Sequence, residues 1–408
     1  MNEKQKINNK QLIINYLTHS NIMKKFFFLA AIASVALAGC TKNEPVKFET
    51  PDAPISFSAI ASPNTKAVTG EMPAAYNTSE SFIAYAGWTN GDYAPGAVTE
   101  FFVNNFTTAI CSFDATLGAW KPAQVYYWPK TGKLTFEAVS PADARYHGTI
   151  SHAWTSGFTI TDFEIRGGIK DQYDLLWSNR EFNKVRADYN ANSAGSPYDD
   201  ENDSAPNPIY NGVNLLFNHA LSSIVFKVKT KEDYTGNNTV ITLTGLTIDN
   251  ADSKGTFSEN VTDAAAASYV APTPSWDNTY AAGDEVTYNI FSGSQVVNAG
   301  TAQDLSALVG GASNIILLPQ DLAHGTGCNN VTVTVNYTIS QNGGSPLAQT
   351  SVITLKDLTT GDGATTVAAW EIGKRYTYTI VFALEEIYFD PAVTDWVDVA
   401  VDAHEIGY

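Results

Sequence analysis

Apolar and polar residues alternate with a period of two along most of this 408-residue chain. Val331, Val333, Val335, Tyr337 and Ile339 fall on one side of a run whose other side is Thr332, Thr334, Asn336, Thr338 and Ser340. Successive side chains of a strand point to opposite faces, so this spacing predicts a strand with one buried and one wet face. The same alternation predicts strands at Ile55-Phe57-Ala59, Phe82-Ala84-Ala86, Val125-Tyr127, Leu134-Phe136-Ala138, Phe158-Ile160, Ile224-Phe226-Val228, Ile241-Leu243 and Tyr376-Tyr378-Ile380-Phe382. Turn signals such as Asn90-Gly91-Asp92, Thr131-Gly132, Asn342-Gly343-Gly344 and Gly361-Asp362-Gly363 separate these runs. No window carries a sustained helical stripe; Thr262 to Ser268 and Ala302 to Val309 are the best candidates and are too short to carry an architecture. The pattern therefore predicts an all-β chain of packed sandwiches, antiparallel because no crossover helices are available.

The polar stretch Glu181 to Tyr210, which contains DDENDSAPNP, interrupts the alternation and reads as a linker or large exposed loop. It divides the chain into an N-terminal β-sandwich domain over 55–206 and a C-terminal one over 207–408, with the junction anywhere in 180–235.

One apolar run does not alternate. Phe26 to Leu37 follows Lys24-Lys25 and ends in Ala38, Gly39 and Cys40. A stretch of twelve residues is too short for a bilayer core, which needs about 20. A basic start, an apolar stretch and small residues are instead the layout of an export signal. Leu37-Ala38-Gly39-Cys40 resembles a bacterial lipobox, with cleavage between Gly39 and Cys40 and a lipid on the Cys40 thiol. The competing reading is a plain secretory signal with an incidental cysteine. Residues 1–22 fit no signal layout, so the expected start is Met23, with 1–39 the signal and 40–54 a lipidated, proline-dotted tether. The lipid gives a membrane tether, and no later segment reads as spanning.

Composition then removes whole classes of function. The chain has 24 Lys and Arg against 42 Asp and Glu, a net −18; residues 1–39 hold five Lys and one Glu, which leaves 19 basic and 41 acidic side chains, a net −22. Such a charge repels a phosphate backbone, so nucleic acid is not an expected partner. Charged residues are 16% and apolar ones 44%, which excludes a disordered acidic tail. Three cysteines cannot build a disulfide scaffold. Cys111 and Cys328 fall in opposite halves and read as free thiols.

No nucleophile elbow, Walker loop, HExxH or CxxC motif is present, and no cofactor or metal is expected. His147 and His152 read as a solvated loop, and His219, between Phe217 and Leu221, as a satisfied structural histidine. Asp199, Asp200, Glu201 and Asp203 offer oxygens for calcium but lack ligand spacing, so they read as a charged linker. Trp120 and Tyr126-Tyr127-Trp128 could form a stacking platform for sugars, although core packing of these rings is favoured.

Together the residues resemble the fimbrillin family, the lipoprotein-derived pilins of Bacteroides-type bacteria that include Mfa-like subunits. The resemblance rests on SFIAYAGW (81–88), WKPAQVYYWP (120–129), LTFEAVSP (134–141), DLLWS (174–178), VNLLFNHALSSIVFKV (213–228), SKGTF (253–257), IILLPQ (315–320), WEIGKRYTYTI (370–380) and IYFDPAVTDW (387–396). It implies two tandem transthyretin-like sandwiches and a non-enzymatic fimbrial subunit at the outer-membrane surface. It also implies maturation by a trypsin-like protease and assembly with other fimbrillin subunits by strand exchange, in support of adhesion to a host or bacterial surface ligand.

The family's cleavage position maps onto Lys66-Ala67, where Lys stands in place of the more common Arg. Cleavage there would free the strand Ile55, Phe57, Ala59. The C-terminal stretch has the form of a donor strand, with Val393, Val397, Val399 and Val401 on one face. The alternative is that 393–401 is the last strand of its own domain. A rival function is a non-polymerising lipoprotein that binds glycan through Trp120, Tyr126 or Trp154. A hydrolase using Glu385 and Glu386 is disfavoured, because neighbours on a strand face opposite ways.

Overall fold

The computed structural model describes residues 54–61, 76–103, 109–142, 148–165, 172–186, 212–262, 271–278, 285–305, 315–325, 328–360, 366–384 and 387–395. These form β1 (Phe57–Ala61), β2 (Phe82–Thr89), β3 (Thr99–Glu100), β4 (Ile110–Asp114), β5 (Ala119–Pro122), β6 (Lys133–Ser140), β7 (Thr149–Ala153), β8 (Gly157–Glu164), β9 (Leu176–Ser178), β10 (Glu181–Lys184), β11 (Val213–His219) and β12 (Ser222–Thr230). There follow β13 (Thr239–Asp252), β14 (Lys254–Ser258), β15 (Ser275–Asn278), β16 (Glu285–Val296), β17 (Gln303–Asp304), β18 (Ile315–Leu317), β19 (Gln320–Asp321), β20 (Thr332–Gln341), β21 (Leu347–Thr354), β22 (Ala369–Trp370), β23 (Lys374–Phe382) and β24 (Ile387–Asp395). The all-β expectation holds. Among the described residues no helix is long and apolar enough to cross a membrane.

A sheet of nine strands in the order β10-β6-β9-β11-β1-β5-β4-β2-β3 is closed by a further pairing of β6 with β2. The ring β6-β9-β11-β1-β5-β4-β2 therefore has no free edge, the arrangement that removes unpaired backbone altogether. Its interior is a cluster that includes Phe57, Phe82, Phe102, Phe136, Leu215 and Phe217. On β2, Phe82, Ala84 and Ala86 point into this cluster while Ile83 and Tyr85 join a second one outside the ring. Both faces of β2 are thus buried, and its run FIAYAGW is nearly continuous in apolar character.

The second cluster is filled by two further sheets, β17-β12-β23-β24 with β18 on β12, and β16-β13-β20-β21. Val331, Val333 and Val335 are fully buried in it, and Tyr337 and Ile339 pack at its margin. A four-stranded sheet, β15-β14-β8-β7, joins strands from both halves of the sequence. Asp52–Tyr408 accordingly groups as one compact unit.

Two pairings depart from the antiparallel expectation: β1 runs parallel to β11, and β12 parallel to β23 over Ser223–Arg375 to Thr230–Phe382. A parallel pair needs a long crossover. Here whole sheets supply it, since β2 to β10 lie between the first pair and β13 to β22 between the second. Two local expectations also change. Glu181–Lys184 is no loop but an edge strand, with Glu181 opposite Phe136 and Lys184 opposite Leu134. Val125-Tyr127 is no strand: both side chains are exposed, and Tyr127 makes a single bridge to Pro54.

Candidate strand-exchange site

The sequence around β1, ISFSAI, places Ile55, Phe57 and Ala59 on one face, and all three are buried in the ring. Phe57 has no exposed surface and meets Phe82, Phe102 and Phe136 edge to face at centroid distances of 5.8, 6.4 and 5.5 Å. Burying an Ile and a Phe contributes about 1.5–3 kcal/mol each. That sum is comparable to the total stability of a domain, about 5–15 kcal/mol. A ring without this strand is therefore not a viable state in water unless something replaces it.

The backbone seams on the two sides of β1 are unequal. Toward β11 five residues pair in register, Phe57 with Val213 through Ala61 with Phe217, and Val213 N donates to Ser56 O at 2.9 Å. Toward β5 the contact is one pair, Phe57 with Trp120, together with Ile55 N donating to Tyr126 O at 2.7 Å. Gly212 leads into β11 with φ of +137°, and a Cβ there would lie 2.5 Å from the Ser56 carbonyl carbon and oxygen. Only glycine allows the two chains to come this close.

Tyr76, the first described residue after β1, also fills the ring. Its aromatic ring lies 5.7 Å from Phe82, 5.4 Å from Trp120 and 5.0 Å from Phe217, and its hydroxyl is 2.6 Å from Ser140 Oγ. Tyr76, Phe102 and Gly212 were not evident from the sequence, because none of them lies within an alternating run that would assign it a face. Cys40, Gly39, Lys66, Ala67, Val397, Val399 and Val401 lie outside the described residues. Val393 is on β24, opposite Tyr376, at the margin of the second cluster.

Most of the remaining candidates that fall on described residues resolve as packing. Trp120, Tyr126, Trp128 and Trp154 are buried, so they present no stacking platform; Tyr127 is exposed. His219 Nδ1 lies 2.5 Å from Asp174 Oδ2 inside the fold. Cys111 and Cys328 are free, Cys111 buried. His147, Asp199, Asp200, Glu201, Asp203, Glu385 and Glu386 lie outside the described residues, among which no group of three acidic, His or Cys side chains could hold a metal.

His152 overturns its expectation. It sits on β7, not in a solvated loop, and its Nε2 is 2.5 Å from Glu137 Oε2 with both side chains nearly sealed from water. Arg180 donates through Nε to Glu137 and through Nη1 to the Tyr93 hydroxyl at 2.5 Å and the Trp154 carbonyl at 2.9 Å. Burial would raise the Glu137 carboxyl, but His152 and Arg180 hold it below the usual carboxylate range. Nearby, burial and the charge of Glu137 push Glu259 up to about 9, so it is a neutral acid at pH 7; its Oε2 accepts from Phe158 N at 2.9 Å. A carboxylate and an imidazole this close suit proton transfer, but sealed under Trp154 and Phe158 they meet no substrate. The group instead ties β6, β7, β8 and the end of β14 together.

Residues 65–396 match the model of the fimbrillin-like family. No curated protein matches the sequence. Among solved structures, a fimbrial protein from Bacteroides vulgatus superposes with a TM-score of 0.50 at 18% identity, over 84% of this chain and 99% of that one. A candidate cell adhesion protein from Bacteroides uniformis gives 0.44 at 15% identity, over 86% and 100% of the two chains. The tip fimbrial protein Mfa3 from Porphyromonas gingivalis gives 0.33 at 11% identity, over 85% and 100%. The family match spans most of the sequence, and the chain belongs to the fimbrillin-like family.

Proposed function

We propose that the chain is a structural subunit of a cell-surface fimbria, exported as an outer-membrane lipoprotein on Cys40 and matured by trypsin-like cleavage between Lys66 and Ala67. Family membership supports a pilus-type structural or adhesive role at the cell surface. The observation that carries the finer reading is the position of β1: a single short strand, ending five residues before Lys66, completes an otherwise closed ring and buries Ile55 and Phe57 inside it. Cleavage turns that strand from a chain segment into a separable ligand. Its departure leaves the β11 and β5 backbone unpaired beside an apolar groove, which a strand from the next subunit refills by β-augmentation. The stretch from Val393 to Val401 supplies the alternating valines for this role.

In this reading Tyr76 stays with the body after cleavage and keeps Phe82, Trp120 and Phe217 packed while the strand is exchanged. The glycan-binding alternative loses its named aromatics to the core. The test is to treat purified chain with a trypsin-like protease and resolve it on a denaturing gel without boiling. A ladder that forms with the native chain, and fails with Lys66→Gln and with deletion of 393–408, supports strand exchange. Cleavage at Lys66 that yields monomer alone argues against it.

A further inference from the structure

Among the described residues β21 forms a free edge of the sheet β16-β13-β20-β21. Its sequence, LAQTSVIT, has neither a charge nor a proline over eight residues, in a chain of net −18. It pairs with β20 from Thr332–Thr354 to Ile339–Leu347 without a register shift. Natural edges are normally blunted by charge, proline, bulges or shortness. Several other edges here are: β3 has two residues, β10 carries Glu181 and Lys184, β16 is broken by register shifts, and β24 contains Pro391 after Asp390; the edge strand β7 also lacks Lys, Arg, Asp, Glu and proline but has only five residues. On β21, Leu347 is 64% and Val352 62% exposed.

The hydrogen-bond phase of this edge is fixed. Leu355 N donates to Val331 O at 3.1 Å, so odd-numbered residues of β21 turn their backbone groups toward β20 and even-numbered ones turn theirs outward. An antiparallel partner strand must therefore place even residues opposite even residues. Laid against a second copy of itself about a two-fold axis at Thr350, β21 meets that condition. Ala348 then faces Val352 of the second copy on one side of the sheet, Leu347 faces Ile353 on the other, and Gln349 faces Ser351. From 347 to 353 each apolar side chain meets an apolar one and each polar a polar one, no carboxylate lies within that segment, and the pairing ends where Thr354 would face Pro346.

From this self-complementarity we infer that β21 is a homotypic docking edge, joining a second copy of the chain in an antiparallel, two-fold pair with Thr350 opposite Thr350. It is independent of strand exchange, because β21 lies in a different sheet from β1. A contact of one strand is smaller than the roughly 1,200–2,000 Å² of a stable interface, so the isolated pair is weak and concentration-dependent. Many aligned copies reinforce it, as expected for side-by-side filaments.

The experiment uses the exported chain with Lys66→Gln, which keeps β1 in place, and with Cys40→Ser and Cys328→Ser. Sedimentation up to about 1 mM should show a monomer–dimer equilibrium, weakened at least about tenfold by Val352→Lys with an unchanged unfolding temperature; a charged, lysine-bearing edge resists pairing. Under mild oxidation Thr350→Cys should cross-link to itself, as should the double variant Ala348→Cys, Val352→Cys. Ala348→Cys alone should not, since its two copies stand four residues apart, roughly 14 Å, beyond the roughly 7 Å limit for a disulfide. Monomer at every concentration, a dimer indifferent to Val352→Lys, or cross-linking of Ala348→Cys as readily as of Thr350→Cys would overturn the inference.

Discussion

Phe57 concentrates the energetics of the ring in one side chain. It is fully buried against three other phenylalanine rings, and Phe→Ala changes at such sites cost about 3–5 kcal/mol through lost burial and the cavity left behind. Phe57→Ala should therefore lower the unfolding temperature of the uncleaved chain. If strand exchange replaces β1 in assembled filaments, the same substitution should leave their unfolding temperature unchanged. Glu259 yields a different expectation. Its folded value of about 9 exceeds the ordinary 4.5, so the folded chain holds a proton that the unfolded one has lost over that interval. Stability then falls as pH rises through that interval, by at most about 1.4 kcal/mol per unit from this group. Glu259→Gln keeps the neutral form, so thermal unfolding followed from pH 5 to 9 should show a flatter profile, with the variant's advantage growing toward alkaline pH. The burial of His152 is not legible locally because its charge partner Glu137 lies on a different strand, β6, and the Arg180 that completes the group comes from beyond β9. Charge placed by tertiary contact leaves no local pattern.

At the scale of the element, legibility followed the number of wet faces. β20 alternates visibly because one side meets the second cluster and the other meets solvent, and its valines were read correctly as core. β2 and β6 pack on both sides, so their short-range pattern gives a strand but not the two cores that it separates. Neighbours within a sheet were not legible either. The parallel pairing of β1 with β11 joins segments separated by nine strands, and nothing in ISFSAI names that partner. The closing glycine was hidden for the same reason, since Gly212 matters through Ser56. The Ser56 approach gives a test of the seam: Gly212→Val should weaken the β1–β11 pairing and speed amide exchange of Phe57 to Ala61 relative to β2. A synthetic peptide covering 391–408 should bind the chain after cleavage at Lys66 and removal of β1, with no detectable binding to uncleaved chain; equal binding to both forms would separate the C-terminal strand from the groove.

For the whole molecule, low charge density and high acidity have a common origin. Two large apolar clusters consume the side chains of most strands, and among the described residues the buried charged side chains are few, chiefly the Glu137–Arg180 group, Asp174 beside His219, Asp252 and Arg375. A chain of net −18, or −22 once residues 1–39 are removed as proposed, repels its copies at long range, so attraction between them must come from short-range, uncharged backbone and apolar contacts. The β1 groove and the β21 edge are both of that kind. The central claim is that β1 leaves and is replaced, and the N-terminus of the assembled subunit reports on it directly. N-terminal sequencing of subunits from filaments sheared off the cell surface should read Ala67 and the residues that follow it. Filament subunits that all retain β1 and begin at a lipidated Cys40 would contradict the account.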